Sequence, residues 1–220
     1  MRSQKRYNHK MISTGNDIVA LAATDPERTS RYRFYSRILT RTELDLVPGT
    51  TLPFSTFVWL VWSIKESVYK YVSRSNPRLS FAPLKIPVTQ LSFREDFFEG
   101  TIRYEQVVLY SRSFIKDDTI QSVVSEEKDF ALTRWGLNAI SDSDYASQSG
   151  SVRAFALESL SKAFPDAALR IVKTADGPPE VWDREKTLDI PVSLAHHDRF
   201  VAWSYRLSAN SSSYRKSPAN

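Results

Sequence analysis

The strongest periodic pattern in the chain lies between Ser55 and Val72. Apolar residues recur there at spacings of three and four, which is the period of one face of an α-helix. These residues are Phe57, Leu60, Val61, Ile64 and Val68. Asn76-Pro77 follows soon afterwards, and because proline disfavours a helical conformation in the residue before it, the helix is predicted to end before this point. A similar apolar pattern predicts a second helix over residues 151–164.

Runs rich in β-branched and aromatic residues predict strands in three parts of the chain. The first run follows Met11 and is predicted to turn at Gly15-Asn16. The second part, residues 86–124, alternates such runs with polar turns. The third part comprises residues 168–174, 190–197 and 199–205. Helices combined with hairpin-linked strands predict an α+β fold, mainly an antiparallel sheet packed with a long helix.

Two short helices are predicted between the first strand and the long helix. Pro26 is suited to the first turn of one of them, where its missing N–H costs nothing. Thr40 and Glu43 have the spacing of a capping box, which predicts the start of the other. The polar ends, residues 1–10 and 208–220, are predicted to be flexible tails, which leaves a single domain over residues 11–207.

Composition removes several kinds of chemistry. The 220 residues include 6 glycines and no cysteine. No two glycines are close enough to form a G-x-G-x-x-G motif or a P-loop. Without cysteine there is no thiol nucleophile, no disulfide and no cysteine-ligated metal. The chain has only 3 histidines, two of them adjacent at His196 and His197, so we expect any metal to be bound by carboxylates.

The net charge of +5 originates at the two ends of the chain. Residues 1–10 and 206–220 contain basic residues and no acidic ones, so the remainder has a slight acidic excess. We therefore expect no nucleic-acid partner. The most apolar run, residues 52–62, is shorter than the roughly 20 residues that span a membrane, and the first ten residues are polar and lack the apolar segment of a signal peptide. These features predict a cytoplasmic protein without membrane contact.

Two segments place charged residues in apolar surroundings. Asp17 lies in or beside the first predicted strand, although Gly-Asn-Asp is also common in turns. On a helix, Trp62, Glu66 and Lys70 share one face, and Lys65 lies about 100° round from Glu66. An ordinary surface ion pair is one explanation of these helical charges. The apolar context favours partly buried charges instead, for which a divalent ion or a phosphate is a suitable partner.

A third segment, near the end of the domain, contains Ser193, His196 and His197. Adjacent residues of a strand face opposite sides, so only one of the two histidines can face a given site. Ser193 and His196 also face opposite sides of an ideal strand, and they share a site only if the strand ends or bends there. A histidine that only makes a structural hydrogen bond is the alternative.

In this order, the segments resemble the phosphopantetheinyl transferase superfamily, and within it the holo-acyl-carrier-protein synthase type. GNDIV resembles that family's G-x-D-I-V strand, WSIKESVYK its W-x-x-K-E-[AS]-x-x-K helix, and SLAHH its S-[IL]-S-H strand. FYSRILTRTE and DGPP are weaker matches to its F-x-x-R-I-L-T-x-x-E segment and its G-x-P turn. The resemblance covers roughly residues 12–75 and 150–206, and it implies this family's fold with a strand-rich insertion at about 78–148.

The resemblance implies transfer of the 4′-phosphopantetheine group of coenzyme A to a serine of a carrier protein, releasing adenosine 3′,5′-bisphosphate. Asp17 and Glu66 would bind Mg²⁺, which prefers such hard oxygen ligands. Glu66 and Lys70 would be catalytic, and the base for the incoming serine hydroxyl would be Glu66 or a water held by the metal. The residues expected to bind coenzyme A are Lys65, Lys70, Ser193 and His196.

An arginine-rich segment supplies the expected docking surface for the partner, an acidic acyl carrier protein such as that of fatty acid biosynthesis, or a carrier domain. The family's corresponding helix carries carrier-binding arginines, and Arg37 matches the motif position. Arg33 and Arg41 are its neighbours in the expected surface. For Arg28 and Arg31, a solvated helix face is an equally good explanation.

The sequence departs from the family pattern at two positions. Ala195 replaces the second serine of S-x-S-H, and this puts the contribution of that hydroxyl to the coenzyme site in doubt. Val19 stands where the two-lobed members have an acid, so a water is expected to complete the metal coordination, as in the compact type. The compact type forms homotrimers with active sites between subunits, which makes a trimer an expectation here.

Two other functions stay open. One is a relative that binds carrier protein or coenzyme A without catalysis, and the presence of Asp17, Glu66, Lys70 and His196 argues against it. The other is a different Mg²⁺-dependent enzyme that acts on nucleotides or pyrophosphates. That enzyme would show no dependence on a carrier protein.

Overall fold

The computed structural model describes residues 13–174 and 177–208. Its helices, α1 to α5, are Pro26–Thr29, Tyr32–Tyr35, Arg41–Leu44, Phe54–Ser73 and Tyr145–Ala163. Its strands, β1 to β11, are Gly15–Ala20, Val88–Arg94, Phe97–Tyr104, Val107–Lys116, Thr119–Ser125, Thr133–Ala139, Leu169–Val172, Glu180–Asp183, Lys186–Leu188, Val192–His197 and Phe200–Arg206. The predicted tails, apart from Ser208, and the predicted turn residue Asp176 lie outside the described residues.

The strands form three antiparallel sheets. The largest has the order β1-β5-β4-β3-β2, and the two smaller ones have the orders β10-β11-β6 and β7-β8-β9. Residues 78–148, expected to be rich in strands, contain β2 to β6. Because β5 is the direct neighbour of β1, this segment completes the sheet that contains Asp17. The α+β prediction is confirmed, while the single domain with an insertion stays a prediction.

The long helix α4 forms the first hydrophobic core against the five-stranded sheet. All the residues of the predicted apolar stripe are fully buried: Phe57, Leu60, Val61, Ile64 and Val68. They pack against sheet residues such as Ile102, Leu109 and Ile120. Gly15 permits an unusually close approach of β1 to α4, because a Cβ there would overlap the carbonyl oxygen of Ser67. This approach brings Asp17, two residues further on, beside the charged face of α4.

A second core lies between α5 and the β10-β11-β6 sheet. Val152, Ala156 and Leu160 of α5 are buried against Val201 and Tyr205 of β11. The two halves of the molecule meet at a small apolar cluster formed by Ile18 of β1, Ala195 of β10 and Ala202 of β11. The site residues of β1 and β10 are therefore brought together by the packing of one half on the other.

Several local predictions were right and several were wrong. Both hydrogen bonds of the α3 capping box are present: the Thr40 side chain accepts from the Glu43 N–H, and the Glu43 side chain accepts from the Thr40 N–H. The turn predicted at Gly15-Asn16 is wrong, because both residues are paired in β1. Helix α5 begins six residues before the predicted start, since the Asp144 carboxylate accepts from the Ala146 and Ser147 N–H groups and caps it. The strand β6 and the hairpin β8-β9 were missed.

Candidate functional site

An ion pair between β1 and α4 is the centre of the site. The Asp17 side chain faces α4, and its Oδ1 accepts a hydrogen bond from Lys70 Nζ at 3.0 Å. The side chains are 11% and 24% exposed, so the pair is largely shielded but retains access to solvent. The structure thus brings together two of the predicted site residues from segments more than fifty residues apart.

Glu66 lies one helical turn before Lys70 on the same face of α4. Burial raises the pKa of Glu66, the positive charge of Lys70 opposes this, and the negative charge of Asp17 adds to it. The carboxyl group is therefore a better proton acceptor than an exposed glutamate. Its electrostatic coupling to Asp17 and Lys70 joins all three residues in one charged cluster.

The cluster offers two carboxylates to a cation. Among the described residues, no group of three or more histidine, aspartate or glutamate side chains is placed to hold a metal. Mg²⁺ does not need such a cage, because it is commonly held by one or two carboxylates, several waters and substrate phosphates. The Lys70 ammonium already lies against Asp17, so the pair accommodates positive charge. The donor set of Asp17 and Glu66 therefore fits Mg²⁺ together with a phosphate-containing substrate.

Strand β10 places its two histidines on opposite faces. Ser193 Oγ accepts from the Asn16 N–H of β1 at 3.1 Å, and His197 Nδ1 accepts from the Ala20 N–H at 2.9 Å. His196 lies on the other face, with its ring 5.7 Å from that of Tyr145. The expected opposite orientations of Ser193 and His196 are thus observed.

The predicted residue His196 is electrostatically coupled to the charged cluster. Its side chain is exposed, but desolvation by neighbouring atoms lowers its pKa, and the positive charge of Lys70 lowers it further. The imidazole is therefore mostly neutral at pH 7, and one of its nitrogens carries a proton that can be donated. Such a group can donate a hydrogen bond to an anionic ligand without adding a full charge.

A cavity of about 310 Å³ opens between the end of α4, β10 and the turn before β8. Basic residues Lys70, Arg74 and Lys173 contribute to its lining, as does Ser193. The Arg74 guanidinium donates to the carbonyl oxygens of Pro179 and Val192, at 3.1 and 3.0 Å. The volume suits part of a small-molecule ligand, and the basic lining suits phosphate groups.

Three residues around this cavity were missed by sequence reasoning. Lys173 Nζ donates to the Tyr145 hydroxyl at 3.1 Å, which places that lysine near His196. Arg74 is four residues after Lys70 on a helix, so its position on the same face was available from spacing alone. The nearness of Lys173 and Tyr145 depends on long-range packing, for which the sequence has no local signal.

The structure places the predicted coenzyme ligand Lys65 away from this site, and this is a correction. Its ammonium has no exposed surface and donates to Glu43 Oε2 at 2.7 Å and to the Ile38 carbonyl oxygen at 2.6 Å. Burial lowers the pKa of Lys65, and the charge of Glu43 and its hydrogen bond oppose that shift. Because Lys65 and Glu66 lie about 100° apart on the helix, Lys65 faces the core while Glu66 shares the face of Lys70.

The predicted docking arginines lie on or beside the short helices, Arg33 in α2, Arg37 just after it and Arg41 in α3. Arg33 and Arg37, with Arg28, Arg31 and Phe34, line a shallow cavity of about 340 Å³. The guanidinium of Arg28 lies over the Phe34 ring at 5.6 Å. Arg41 is exposed at the first position of α3 and does not line this cavity. The structure thus brings together Arg33 and Arg37 but not Arg41.

The two departures from the family pattern have structural explanations. Ala195 is 4% exposed and packs with Ile18 and Ala202 where the two halves meet. A hydroxyl there would lie in an apolar cluster. Val19 is 2% exposed within the main core, so an acid at this position would be buried among apolar side chains.

Comparison with protein families identifies the superfamily of this chain. Residues 13–133 match the family model described as the 4′-phosphopantetheinyl transferase superfamily. The match covers more than half of the chain, which therefore belongs to this superfamily, whose members are transferases of the phosphopantetheinyl type. The matched segment includes Asp17, Glu66 and Lys70 and continues through β2 to β5, but it ends before β10. A comparison with curated proteins returned no match.

No helix in the described part of the chain has the length and apolar character that crossing a bilayer requires. Within one chain, Asp17 is paired with Lys70, Ser193 is hydrogen-bonded to Asn16 of β1, and His196 is electrostatically coupled to Lys70. The expected trimer stays a prediction.

Proposed function

We propose that this chain is a Mg²⁺-dependent holo-acyl-carrier-protein synthase. It transfers the 4′-phosphopantetheine group of coenzyme A to a serine of an apo acyl carrier protein, or of a peptidyl or aryl carrier domain. The observation that carries the proposal is the contact of Asp17 with Lys70, which also lines the basic cavity. Membership of the superfamily supports the reaction type.

The reaction is a displacement at phosphorus. The serine oxygen forms a new bond to the phosphorus atom that bears the pantetheine arm, and the bond from that phosphorus to adenosine 3′,5′-bisphosphate breaks. Catalysis of such a step is mainly positioning and neutralisation of negative charge. The nucleophile belongs to the carrier protein, which agrees with a chain that lacks cysteine.

Each residue of the charged cluster has a role in this step. The Lys70 ammonium stabilises negative charge on the pyrophosphate oxygens. The Glu66 carboxyl, whose pKa is raised by burial, accepts the proton of the serine hydroxyl. Asp17 and Glu66 would hold Mg²⁺, which when bound supplies further charge neutralisation at the pyrophosphate.

The cavity is the proposed site of the nucleotide part of coenzyme A. Lys173 and Arg74 contribute positive charge to its lining, and Ser193 is part of the same wall. His196, coupled to Lys70, donates a hydrogen bond to a phosphate oxygen. The turn at residues 177–179 brings backbone and proline rings against the ligand.

A direct assay tests the proposal. Purified protein, coenzyme A, Mg²⁺ and an apo carrier protein are incubated, and the intact mass of the carrier is measured. We expect a mass gain of one phosphopantetheine per carrier, formation of adenosine 3′,5′-bisphosphate, and loss of both when a chelator removes the metal. Acidic carriers of the acyl, peptidyl and aryl types should be tried in parallel.

The outcomes separate the rival functions. Binding of coenzyme A or of carrier, measured by calorimetry, without any mass gain on all three carrier types would identify a non-catalytic relative. Turnover of a nucleotide or pyrophosphate in the absence of carrier would identify a different Mg²⁺-dependent enzyme. Either result contradicts the proposal.

Reversing charge in the docking surface should weaken the interaction with the carrier. We expect Arg37→Glu and Arg33→Glu each to raise the KM for an acidic carrier by about tenfold and to reduce its dependence on salt, because such charges steer association. The KM for coenzyme A should not change. Arg103→Glu on β3, outside the surface, is the matched control. An unchanged KM for carrier in both variants would place docking elsewhere.

A further inference from the structure

Strand β10 is attached to the edge of β1 by side chains. One edge of β1 pairs with β5 through the backbone. On its other edge, the Asn16 N–H donates to Ser193 Oγ at 3.1 Å and the Ala20 N–H donates to His197 Nδ1 at 2.9 Å. Between these two bonds, Ala195 packs against Ile18. Side chains of alternate β10 residues therefore take the place of a backbone ladder.

The hydrogen bond to His197 defines the state of its imidazole. Because Nδ1 accepts from a backbone N–H, it bears no proton, and the proton of the neutral ring is on Nε2. A proton on Nδ1 would place two donors against each other and would break the contact. His197 acts here as an acceptor at the end of β10, immediately before the turn at Asp198, where the backbone has a positive φ of 53°.

These contacts fix the spacing between two parts of the site. Asp17 lies on β1 between the two bonded N–H groups, and His196 lies on β10 between Ser193 and His197. A displacement of β10 along or away from β1 would change the distance from Asp17 to His196. Displacements near 1 Å at a reacting centre reduce rates by as much as about 10²-fold.

We propose that His197 is a positioning residue that holds β10, and hence His196 and the coenzyme cavity, in register with Asp17. Ser193 makes the matching contact at the other end. The proposal rests on the proposed function for its consequences in catalysis, while the contact itself is independent of that function. A role in folding stability alone is the competing explanation.

Two substitutions at one position separate these explanations. We expect His197→Ala to raise the KM for coenzyme A and to lower kcat, each by about tenfold. The reason is that the distance between Asp17 on β1 and His196 on β10 is no longer fixed. His197→Asn should restore both constants to within about threefold of wild type, because the asparagine Oδ1 accepts near the position of Nδ1. The KM for carrier should stay unchanged in both variants.

The matched control is Tyr205→Phe, which removes the hydrogen bond between Tyr205 and Ser159 that joins β11 to α5. It should leave the KM for coenzyme A unchanged. If His197→Ala does not fold, Ser193→Ala provides the second test and should shift the constants in the same direction. If the contact is purely structural, His197→Ala reduces the amount of folded enzyme and leaves the KM for coenzyme A at the wild-type value. His197→Asn then has no altered KM to restore.

A measurement without substrate tests the contact itself. In ¹⁵N NMR of the full chain, the His197 signals, assigned through the asparagine variant, should show the Nε2–H tautomer. Hydrogen exchange of the Ala20 amide should be slower in wild type and His197→Asn than in His197→Ala. An Nδ1–H tautomer overturns the contact, and kinetic constants of His197→Ala equal to wild type overturn the positioning role. Absence of transfer by the wild type overturns the proposed function and, with it, the role in catalysis, even if the tautomer is as expected.

Discussion

Removing the charge of Asp17 or Glu66 is expected to reduce phosphopantetheine transfer by about 10²- to 10³-fold without unfolding the protein. Asp17→Asn and Glu66→Gln preserve side-chain shape and remove the negative charge that would hold Mg²⁺. In Asp17→Asn the Lys70 ammonium also loses its carboxylate partner, which lies 3.0 Å away in the wild type. Both variants should need more Mg²⁺ for half-maximal activity than the wild type does.

Although Glu66→Gln should lose activity, its free energy of unfolding should not decrease. Burial raises the pKa of this carboxyl, so the folded state binds its proton more tightly than the unfolded state does. Such a group lowers the free energy of unfolding as the pH rises through its ordinary range towards the raised value. Glu66→Gln removes the charge that causes this loss, and the variant should be at least as stable as the wild type at neutral pH. Loss of activity with retained stability marks a functional residue.

The measurements are intact-mass transfer rates at several Mg²⁺ concentrations and thermal unfolding of each variant. Glu158→Gln is the matched control, since Glu158 is an exposed helical glutamate paired with Lys162 on α5. It should retain the wild-type rate and Mg²⁺ dependence. Wild-type rates in both Asp17→Asn and Glu66→Gln would rule out the proposed metal ligands.

The main elements of the fold were accessible from local sequence patterns. The apolar period of Phe57 to Val68 predicts α4 and its buried face, because both depend on the geometry of a single helix. Strands β10 and β11 were predicted within two residues of their ends. The strands β8 and β9 were missed, since they have only four and three residues, too few for a clear alternation of apolar and polar positions. Their pairing with β7 depends on contacts that local patterns do not encode.

The site was predictable where it depended on helix geometry and not where it depended on packing. Spacing alone puts Glu66 and Lys70 on one face of α4 and Lys65 on another. Which face meets the cavity is decided by the close approach of β1 at Gly15 and by Glu43 of α3. The sequence identified Glu43 as part of a capping box and as the last residue of the FYSRILTRTE segment, but not as the partner of Lys65. That its other oxygen accepts from the Val88 N–H is a long-range contact without a local signal.

The Lys65–Glu43 ion pair is expected to be the most sensitive point of the fold. Neither side chain has any exposed surface. Glu43 also accepts from the Thr40 and Val88 N–H groups, so it joins α3, α4 and β2. Removal of one member of a buried pair leaves an uncompensated charge and typically costs about 3–5 kcal/mol. We expect Lys65→Met and Glu43→Gln each to lower the free energy of unfolding by this amount in denaturant titrations.

The double variant and the kinetics distinguish a structural lysine from a coenzyme ligand. Lys65→Met combined with Glu43→Gln should cost less than the sum of the single changes, with a coupling of about 1–3 kcal/mol, because no buried charge is left unpaired. Lys162→Met, whose partner Glu158 is exposed, should leave unfolding unchanged. In the folded fraction of Lys65→Met, the KM for coenzyme A should equal that of the wild type, because the ammonium lies in the core. A large increase in that KM with unchanged stability would return Lys65 to the coenzyme site and contradict its burial.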